Sequence, residues 1–266
     1  MSRNYRFALT VGLLALVIVA PGCVINKLRA KDNLNEGVRE FNKGKYELAQ
    51  EKFQRALELS PDLTNAQLFL ARAVNARFEQ SLTEDLGMKT IEAYDNLIQK
   101  NPENYEMIDQ ALAFKANVYD KLTTLVPEKF NEYRQKQREM LLKRAELPTA
   151  SNKTKADVYY TLGVSYWKES YDLAYHYVNR KQPIPKEVQD KMRPSIQQAH
   201  EYLQKTIAEQ ADYANAYFYE KLVYIEDTKV ESDPARLKDL SAKINEMQEK
   251  YLQLQKQQQQ QAASQS

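Results

Sequence analysis

The chain has 266 residues, with 38 Lys or Arg against 36 Asp or Glu, and its formal net charge is +2. Nucleic-acid binding requires a basic excess or a basic stripe, so this balance argues against nucleic acid and against a polybasic membrane surface. Cys23 is the only cysteine, which excludes a disulfide within the chain.

The N-terminal segment differs in composition from everything that follows it. Arg3 and Arg6 precede a largely apolar run over residues 7–20, and Pro-Gly-Cys follows, ending at Cys23. This end resembles the lipobox of bacterial lipoproteins, in which a small residue precedes a cysteine. The resemblance implies that residues 1–22 are a signal peptide and that fatty acyl chains on the cysteine tether the mature chain to a bilayer.

An uncleaved transmembrane anchor is the alternative for this segment, with the apolar stretch extended to residues 7–25. Charge does not decide its orientation, because the two leading arginines are matched by Lys27, Arg29 and Lys31 beyond the run. The position of the only cysteine favours lipidation. Val24 follows it, rather than the Asp that retains some lipoproteins at the inner membrane. The resemblance therefore favours a location facing the periplasm from the outer membrane.

Residues 30–63 are predicted to form two amphipathic helices with a tight turn between them. The first helix carries Leu34, Val38 and Phe41 on one stripe and is broken by Lys-Gly-Lys. The second helix ends at Ser-Pro-Asp, because the proline at position 61 cannot continue a helix.

This hairpin resembles a tetratricopeptide repeat (TPR), whose pattern is W-x2-L-G-x2-Y, then A-x3-F, then P, with this period. Gly37, Ala49-x3-Phe53 and Pro61 match the pattern. The Trp, Leu and Tyr places are occupied by other residues, namely Asn33, Glu36 and Glu40. The resemblance implies a stack of such hairpins, since one hairpin cannot bury its own apolar face.

The pattern restarts twice after the first hairpin. A helix over Thr64–Phe78 and a partner over Lys89–Lys100 enclose extra residues around Leu82–Gly87, which we predict to be an insertion between the helices. A third hairpin is predicted from a helix over Glu103–Leu122 and another from Pro127 to about Leu147.

The fourth hairpin carries the largest departure from the repeat. Tyr159-x2-Leu162-Gly163-x2-Tyr166 follows the first-helix pattern, but the small residue of the second helix, Ala199, lies 36 positions after Gly163 instead of 12. We interpret the 24 added residues as an extended first helix, a corner at Pro183–Pro185, and an early second helix interrupted at Pro194.

A fifth hairpin begins with a helix over Tyr213–Ile225. Its last helix is predicted to start at a Ser232 or Asp233 cap, with Pro234 in the first turn. From residue 253 onwards the chain is rich in glutamine and is predicted to be disordered or a fraying helix end.

The predicted fold is therefore all-α, a right-handed α-solenoid of about five TPR-like helical hairpins with an insertion in the fourth. The predicted solenoid spans residues 30–252. A lipidated tether at residues 23–29 precedes it, and the Gln-rich tail at residues 253–266 follows it.

The residue types that carry catalysis are scarce. Neither a phosphate-binding Gly-rich loop nor a metalloprotease motif is present, and His176 and His200 stand alone. We expect both histidines to be exposed or hydrogen-bonded structural residues. The sequence therefore predicts no enzyme, no cofactor and no metal.

The resemblance implies that the first helix of each hairpin lines a concave groove for partner proteins or peptides. The side chains predicted to face this groove are Phe41, Leu68, Arg72, Asn75, Tyr160, Val164, Trp167 and Phe218. Most aromatic residues are expected to pack between helices, and the single Trp167 is the strongest candidate for a partner contact.

We predict a membrane-tethered, non-catalytic scaffold that assists assembly of an envelope complex, with other envelope proteins or peptides as partners. The alternative is a carrier or sensor lipoprotein that binds a small ligand in the inserted region around residues 168–194.

Overall fold

The computed structural model describes residues 24–265, and it confirms the predicted all-α class: this range contains helices and no strand. The helices are α1 (24–42), α2 (Tyr46–Leu59), α3 (Thr64–Ser81), α4 (Glu84–Lys100), α5 (Tyr105–Leu125), α6 (Phe130–Ala145), α7 (Asn152–Asn179), α8 (Lys186–Glu209), α9 (Ala214–Val230) and α10 (Pro234–Gln265). A short 3-10 helix, Pro127–Lys129, precedes α6. The predicted signal peptide and Cys23 lie outside the described residues.

The helix ends follow from the local sequence. Gly44 adopts a positive φ of 74° in the turn after α1, a conformation that glycine reaches without a steric penalty. Side chains of Asn104, Ser151 and Asp233 accept backbone N–H groups at the starts of α5, α7 and α10. Asp233 is one of the two caps predicted for the last helix. Within residues 24–265, no helix has both the length and the apolar character that a bilayer span needs.

The chain divides into two compact units, with the boundary along the sequence between Met140 and Leu141. Unit 1 contains α1 to α5 and most of α6, and these helices form three hairpins. Phe53 of α2 and Tyr94 of α4 are fully buried and anchor two of the apolar clusters between the hairpins. Gly37 of α1 allows the first hairpin to close, because a Cβ there would lie 2.4 Å from the Phe53 ring.

The predicted insertion around Leu82–Gly87 is absent as a separate loop. Instead, α3 runs to Ser81 and α4 starts at Glu84, so the extra residues lengthen both helices. The turn is tight because Leu82 takes a left-handed φ of 44° and the Thr83 side chain caps α4. Gly87, predicted to belong to the insertion, lies within α4.

Unit 2 is dominated by the long hairpin of α7, with 28 residues, and α8, with 24. Gly163 and Leu203 make the close contact of this hairpin, and a Cβ on the glycine would lie 2.6 Å from Leu203 Cγ. The extended first helix and the corner are as predicted. The predicted interruption at Pro194 is wrong, because α8 continues through this exposed proline.

The last hairpin of unit 2 consists of α9 and α10. The helix α10 continues through residues 253–265, in contrast to the disordered or fraying tail that the sequence predicts. Leu254 is buried against Ala214 and Tyr217 of α9. Glutamine and alanine have good helix propensity, so this segment continues the helix after that contact. The start of α1 differs similarly, since residues 24–29 of the predicted tether are already helical.

Candidate functional site

In unit 1, the first helices of the three hairpins line a common cavity. It has a volume of about 390 Å³ and brings together Phe41 of α1 with Arg72 and Asn75 of α3, three of the predicted groove residues. Its other lining residues are Tyr46, Ala76, Glu79, Gln80 and Phe114. The surface formed by the first helices of the hairpins, called the first-helix face, is therefore concave in this unit, as predicted.

An aromatic cluster supports one side of this cavity. The Phe41 ring lies 5.1 Å from the Tyr46 ring and 6.3 Å from the Phe69 ring, and Phe69 stacks on the buried Phe53 at 5.5 Å. Such pairs hold their rings in fixed relative orientations. The cavity therefore has a rigid apolar wall.

Arg72 supplies a fixed positive charge beside that wall. Its guanidinium lies 5.9 Å from the centre of the Phe69 ring and donates to Gln110 Oε1 of α5 at 3.3 Å. Cation–π contact and hydrogen bonding limit the rotamers of this side chain, so less entropy is lost when it contacts a partner.

Asn75 places a polar group in the same cavity. Its Oδ1 is buried and accepts no hydrogen bond within the protein. An unsatisfied buried acceptor costs about 1–3 kcal/mol, which a bound N–H donor would recover if the Asn75 side chain turned outward. Leu68, also predicted to face the groove, instead packs against the buried cluster of Ala71, Tyr94, Leu97 and Ala111.

In unit 2, the predicted residues of α7 form one stripe. Tyr160, Val164 and Trp167 are half-buried at helical spacing, and Tyr219 of α9 contacts both rings, 5.6 Å from Tyr160 and 5.1 Å from Trp167. Tyr171 extends the stripe at 5.3 Å from Trp167. The Trp167 Nε1 donor is buried without an acceptor.

Phe218 reaches this stripe only through its neighbour Tyr219, whose ring lies 5.6 Å from its own. Its ring lies 5.3 Å from Tyr251 of α10, and the Lys221 ammonium lies 4.4 Å from its centre. Burial, together with the neighbouring Tyr219, raises the pKa of Tyr160 to about 12. The phenol is therefore neutral at physiological pH, and the Tyr219 side chain is its hydrogen-bond partner.

The inserted region builds an extension of the α7–α8 hairpin with its own apolar interior. Ala174 and Met192 have no exposed surface, and Leu173, Ile184 and Val188 pack against the same cluster. Most of the apolar side chains of the insertion are therefore committed to packing, although Tyr175 and Val178 remain about half exposed.

His200 is the centre of a buried charged cluster in unit 2. Its Nδ1 lies 2.8 Å from Glu220 Oε1 and its Nε2 lies 2.7 Å from Asp227 Oδ2. Burial alone would lower the pKa of His200, but hydrogen bonds to the two carboxylates raise it to about 9. The Tyr224 ring packs at 4.5 Å.

This arrangement is structural in character. Both ring nitrogens of His200 are occupied by carboxylates, which leaves neither free for proton transfer or a metal. His176, by contrast, is exposed. Across the described range, no group of three or more His, Cys, Asp or Glu side chains is arranged to hold a metal ion.

A second concavity in unit 1 was not anticipated from the sequence. It has a volume of about 380 Å³ and lies on the side of the second helices, between α2 and α4, with Leu57, Leu70 and Leu97 among its lining residues. Polar side chains that include Arg77 and Asn96 also line it. Because it has a similar volume and also contains an arginine and an asparagine, this cavity serves as a control surface when binding to the first-helix face is tested.

Sequence reasoning also missed contributors to the first-helix faces. Phe114 of α5 lines the cavity of unit 1 but belongs to the hairpin with the most irregular repeat pattern. Tyr219 of α9 links the stripe of unit 2, although only its neighbour Phe218 was predicted. Aromatic residues are adjacent in α9, so the sequence alone did not decide whether Phe218 or Tyr219 faces the stripe.

Comparison with solved structures identifies the class of fold. The chain is similar to a TPR-repeats protein from Bacteroides fragilis NCTC 9343, with a TM-score of 0.50 and 17% identity over 76% of this chain and 85% of the other. It is also similar to a MamA RS-1 double mutant, with a TM-score of 0.50 and 13% identity over 86% and 96% of the two chains. No family model and no curated protein matches the sequence.

The protein thus has the all-α fold of TPR proteins, as its sequence pattern predicted. The likeness at these identities concerns the fold alone.

Proposed function

We propose that the protein is a non-catalytic scaffold, tethered to a bacterial membrane through lipid on Cys23, that binds a segment of another envelope protein on its first-helix faces. The observation that carries this proposal is the cavity in unit 1, where Phe41, Arg72 and Asn75 converge from two helices. An aromatic wall, a fixed cation and an unsatisfied acceptor together suit an extended peptide.

The stripe of unit 2 supports the same function. Trp167 and Tyr160 present large rigid rings with few rotatable bonds, which is typical of energetic anchors at interfaces. Trp167 also carries a donor without an acceptor. A backbone carbonyl of a bound segment would satisfy this donor if the ring turned outward.

A tether of this kind follows from the sequence segment that resembles a lipobox. Acyl chains would hold the domain at the membrane, with the outer membrane favoured by Val24 after the cysteine. Metabolic labelling with a fatty-acid analogue tests this part. Labelling that persists in a Cys23→Ala variant would exclude lipidation at this position.

The binding function is tested by site-specific photo-crosslinking from position 76 in cells, followed by affinity measurements with the crosslinked partner. Arg72→Ala with Asn75→Ala is expected to weaken binding at least about tenfold, the effect of losing one well-placed anchor. The matched control, Arg77→Ala with Asn96→Ala, makes the same chemical changes in the cavity between α2 and α4.

Equal affinity of the two double variants would contradict the assignment to the first-helix face. A loss of affinity only in the control variant would show that the partner binds on the side of the second helices. The carrier alternative receives less support, because the apolar side chains of the insertion are mainly used within the long hairpin.

A further inference from the structure

The first two turns of α1 expose apolar side chains that the fold does not cover. Val24 is 68% exposed, Ile25 49% and Leu28 62%, whereas Ala30, which follows in the same helix, is fully buried. Three large apolar side chains within five residues are thus left in solvent, while the next turn packs on the domain.

These side chains share one side of the helix. Successive residues of an α-helix are rotated by about 100°, which places Val24, Leu28 and Ile25 within an arc of about 100°. Ala30 lies almost diametrically opposite the centre of this arc. The exposed arc therefore points away from the part of α1 that packs on unit 1.

Basic residues border the arc on both sides. Arg29 lies about 40° beyond Ile25, and Lys31 about 20° before Val24, with Lys27 further along that edge. All three are exposed, and residues 24–31 contain no acidic residue. Asp32, the first acidic residue of α1, is exposed and lies at about 80° from Val24 on the same side of the helix, one turn after Leu28, so it marks the end of the arc. The near-neutral charge of the whole chain thus conceals a local basic cluster.

We infer that this arc, formed by Val24, Ile25 and Leu28, lies on a membrane that contains anionic phospholipid. The apolar side chains enter the boundary between headgroups and acyl chains, and Lys27, Arg29 and Lys31 contact the headgroup phosphates. The inference rests on the proposed tether, which would bring the bilayer within one helical turn of the arc.

A bilayer suits these residues better than a protein partner does. A protein interface needs no basic border on both sides of an apolar strip, whereas a helix lying at a lipid surface has this arrangement. The arc also follows directly on the apolar run over residues 7–20 and the cysteine that resembles a lipidation site.

The test uses the full chain reconstituted in phosphatidylcholine vesicles, with or without phosphatidylglycerol and with brominated acyl chains as quenchers. In a Trp167→Phe background, Leu28→Trp places the only tryptophan in the arc. Asn26→Trp places it in the same turns on the opposite side of the helix. We expect at least about twofold stronger quenching at position 28 than at position 26.

Equal quenching at both positions, or none at position 28 in chains that float with the vesicles, would overturn the inference and leave the tether intact. Chains that do not float would refute the tether and the inference together. Replacement of Lys27, Arg29 and Lys31 by Gln should reduce quenching at position 28 only in vesicles with phosphatidylglycerol. An unchanged signal there would refute the role of anionic lipid.

Discussion

The first and fourth hairpins close their helices by the same contact, although their lengths differ greatly. Gly37 faces Phe53 in the first, and Gly163 faces Leu203 in the fourth, with Cβ positions that would lie 2.4 Å and 2.6 Å from those side chains. The second helices have 14 and 24 residues. A single small residue thus sets the approach of two helices, and the length beyond it is free to vary.

The hairpins differ in what surrounds that contact. The first is enclosed by apolar and aromatic side chains, including Phe41 and Phe69. The second helix of the fourth, α8, meets α9 through the charged cluster around His200, in which Glu220 is only 2% exposed. The interface between α8 and α9 should therefore respond to pH and to removal of charge, whereas the apolar surroundings of the first hairpin should not.

The largest expected effect is from His200→Leu. Removal of the imidazole leaves the buried Glu220 carboxylate without its cation, and breaking such a pair typically costs about 3–5 kcal/mol. Fluorescence of Trp167, the only tryptophan, follows the unfolding of unit 2 by denaturant. The exposed His176→Leu serves as control and should change the free energy by less than about 0.5 kcal/mol.

The same cluster predicts how stability depends on pH. The folded pKa of about 9 exceeds the unfolded value of 6.5, so the contribution of His200 is complete below pH 6.5 and is lost as pH rises towards 9. The stability difference between wild type and His200→Gln should shrink over this window by about 3 kcal/mol. A difference that is constant from pH 6 to 9 would show that His200 does not titrate as part of the cluster.

The shared contact can be tested by Gly37→Ala and Gly163→Ala. Each added methyl group overlaps a packed side chain, and overpacking of this kind costs about 1–3 kcal/mol. Gly87→Ala is the control, since its Cβ would lie 3.0 Å from a terminal methyl of Leu122 and alanine gains about 1 kcal/mol in helix propensity. Hydrogen exchange measures the stability of each of the two hairpins separately. Equal stability of Gly87→Ala and Gly163→Ala would contradict the role assigned to the contact.

The smallest effect is expected at Pro194, where α8 joins the extension to the regular part of the hairpin. Proline lacks the N–H for a helical hydrogen bond and costs up to about 3 kcal/mol inside a helix, but it also restricts the unfolded chain, so Pro194→Ala should stabilise unit 2 by less than that amount. A loss of stability, measured by Trp167 fluorescence, would show that the long hairpin depends on the proline at this position.

Local sequence was sufficient to predict the architecture but not the charged cluster. Turn residues such as Gly44 and Pro61, and small residues such as Gly37, act within a few positions of themselves, so the hairpins could be assigned. His200 and its partners Glu220 and Asp227 are 20 and 27 residues apart and belong to different helices. Their contact depends on helix packing, which no spacing rule along the chain supplies.

Errors at helix ends have a related cause. Residues around Leu82–Gly87 contain a glycine and polar residues that are typical of loops, yet Gly87 lies in α4 because Phe78 and Leu122 pack closely against it. The first-helix face of unit 1 was likewise predicted only in part. Phe41, Arg72 and Asn75 were predicted, whereas Phe114 was not, because its helix lacks the repeat pattern.

The exposed end of α10 has a practical consequence for fusion proteins. After Leu254 and Gln255, residues 256–264 are exposed, and α10 is helical to Gln265. At 1.5 Å per residue, the end of this helix lies about 15 Å beyond its last packed turn. A reporter joined there through a continuous helix would be held clear of the domain, and each residue added to the junction would rotate it by about 100°.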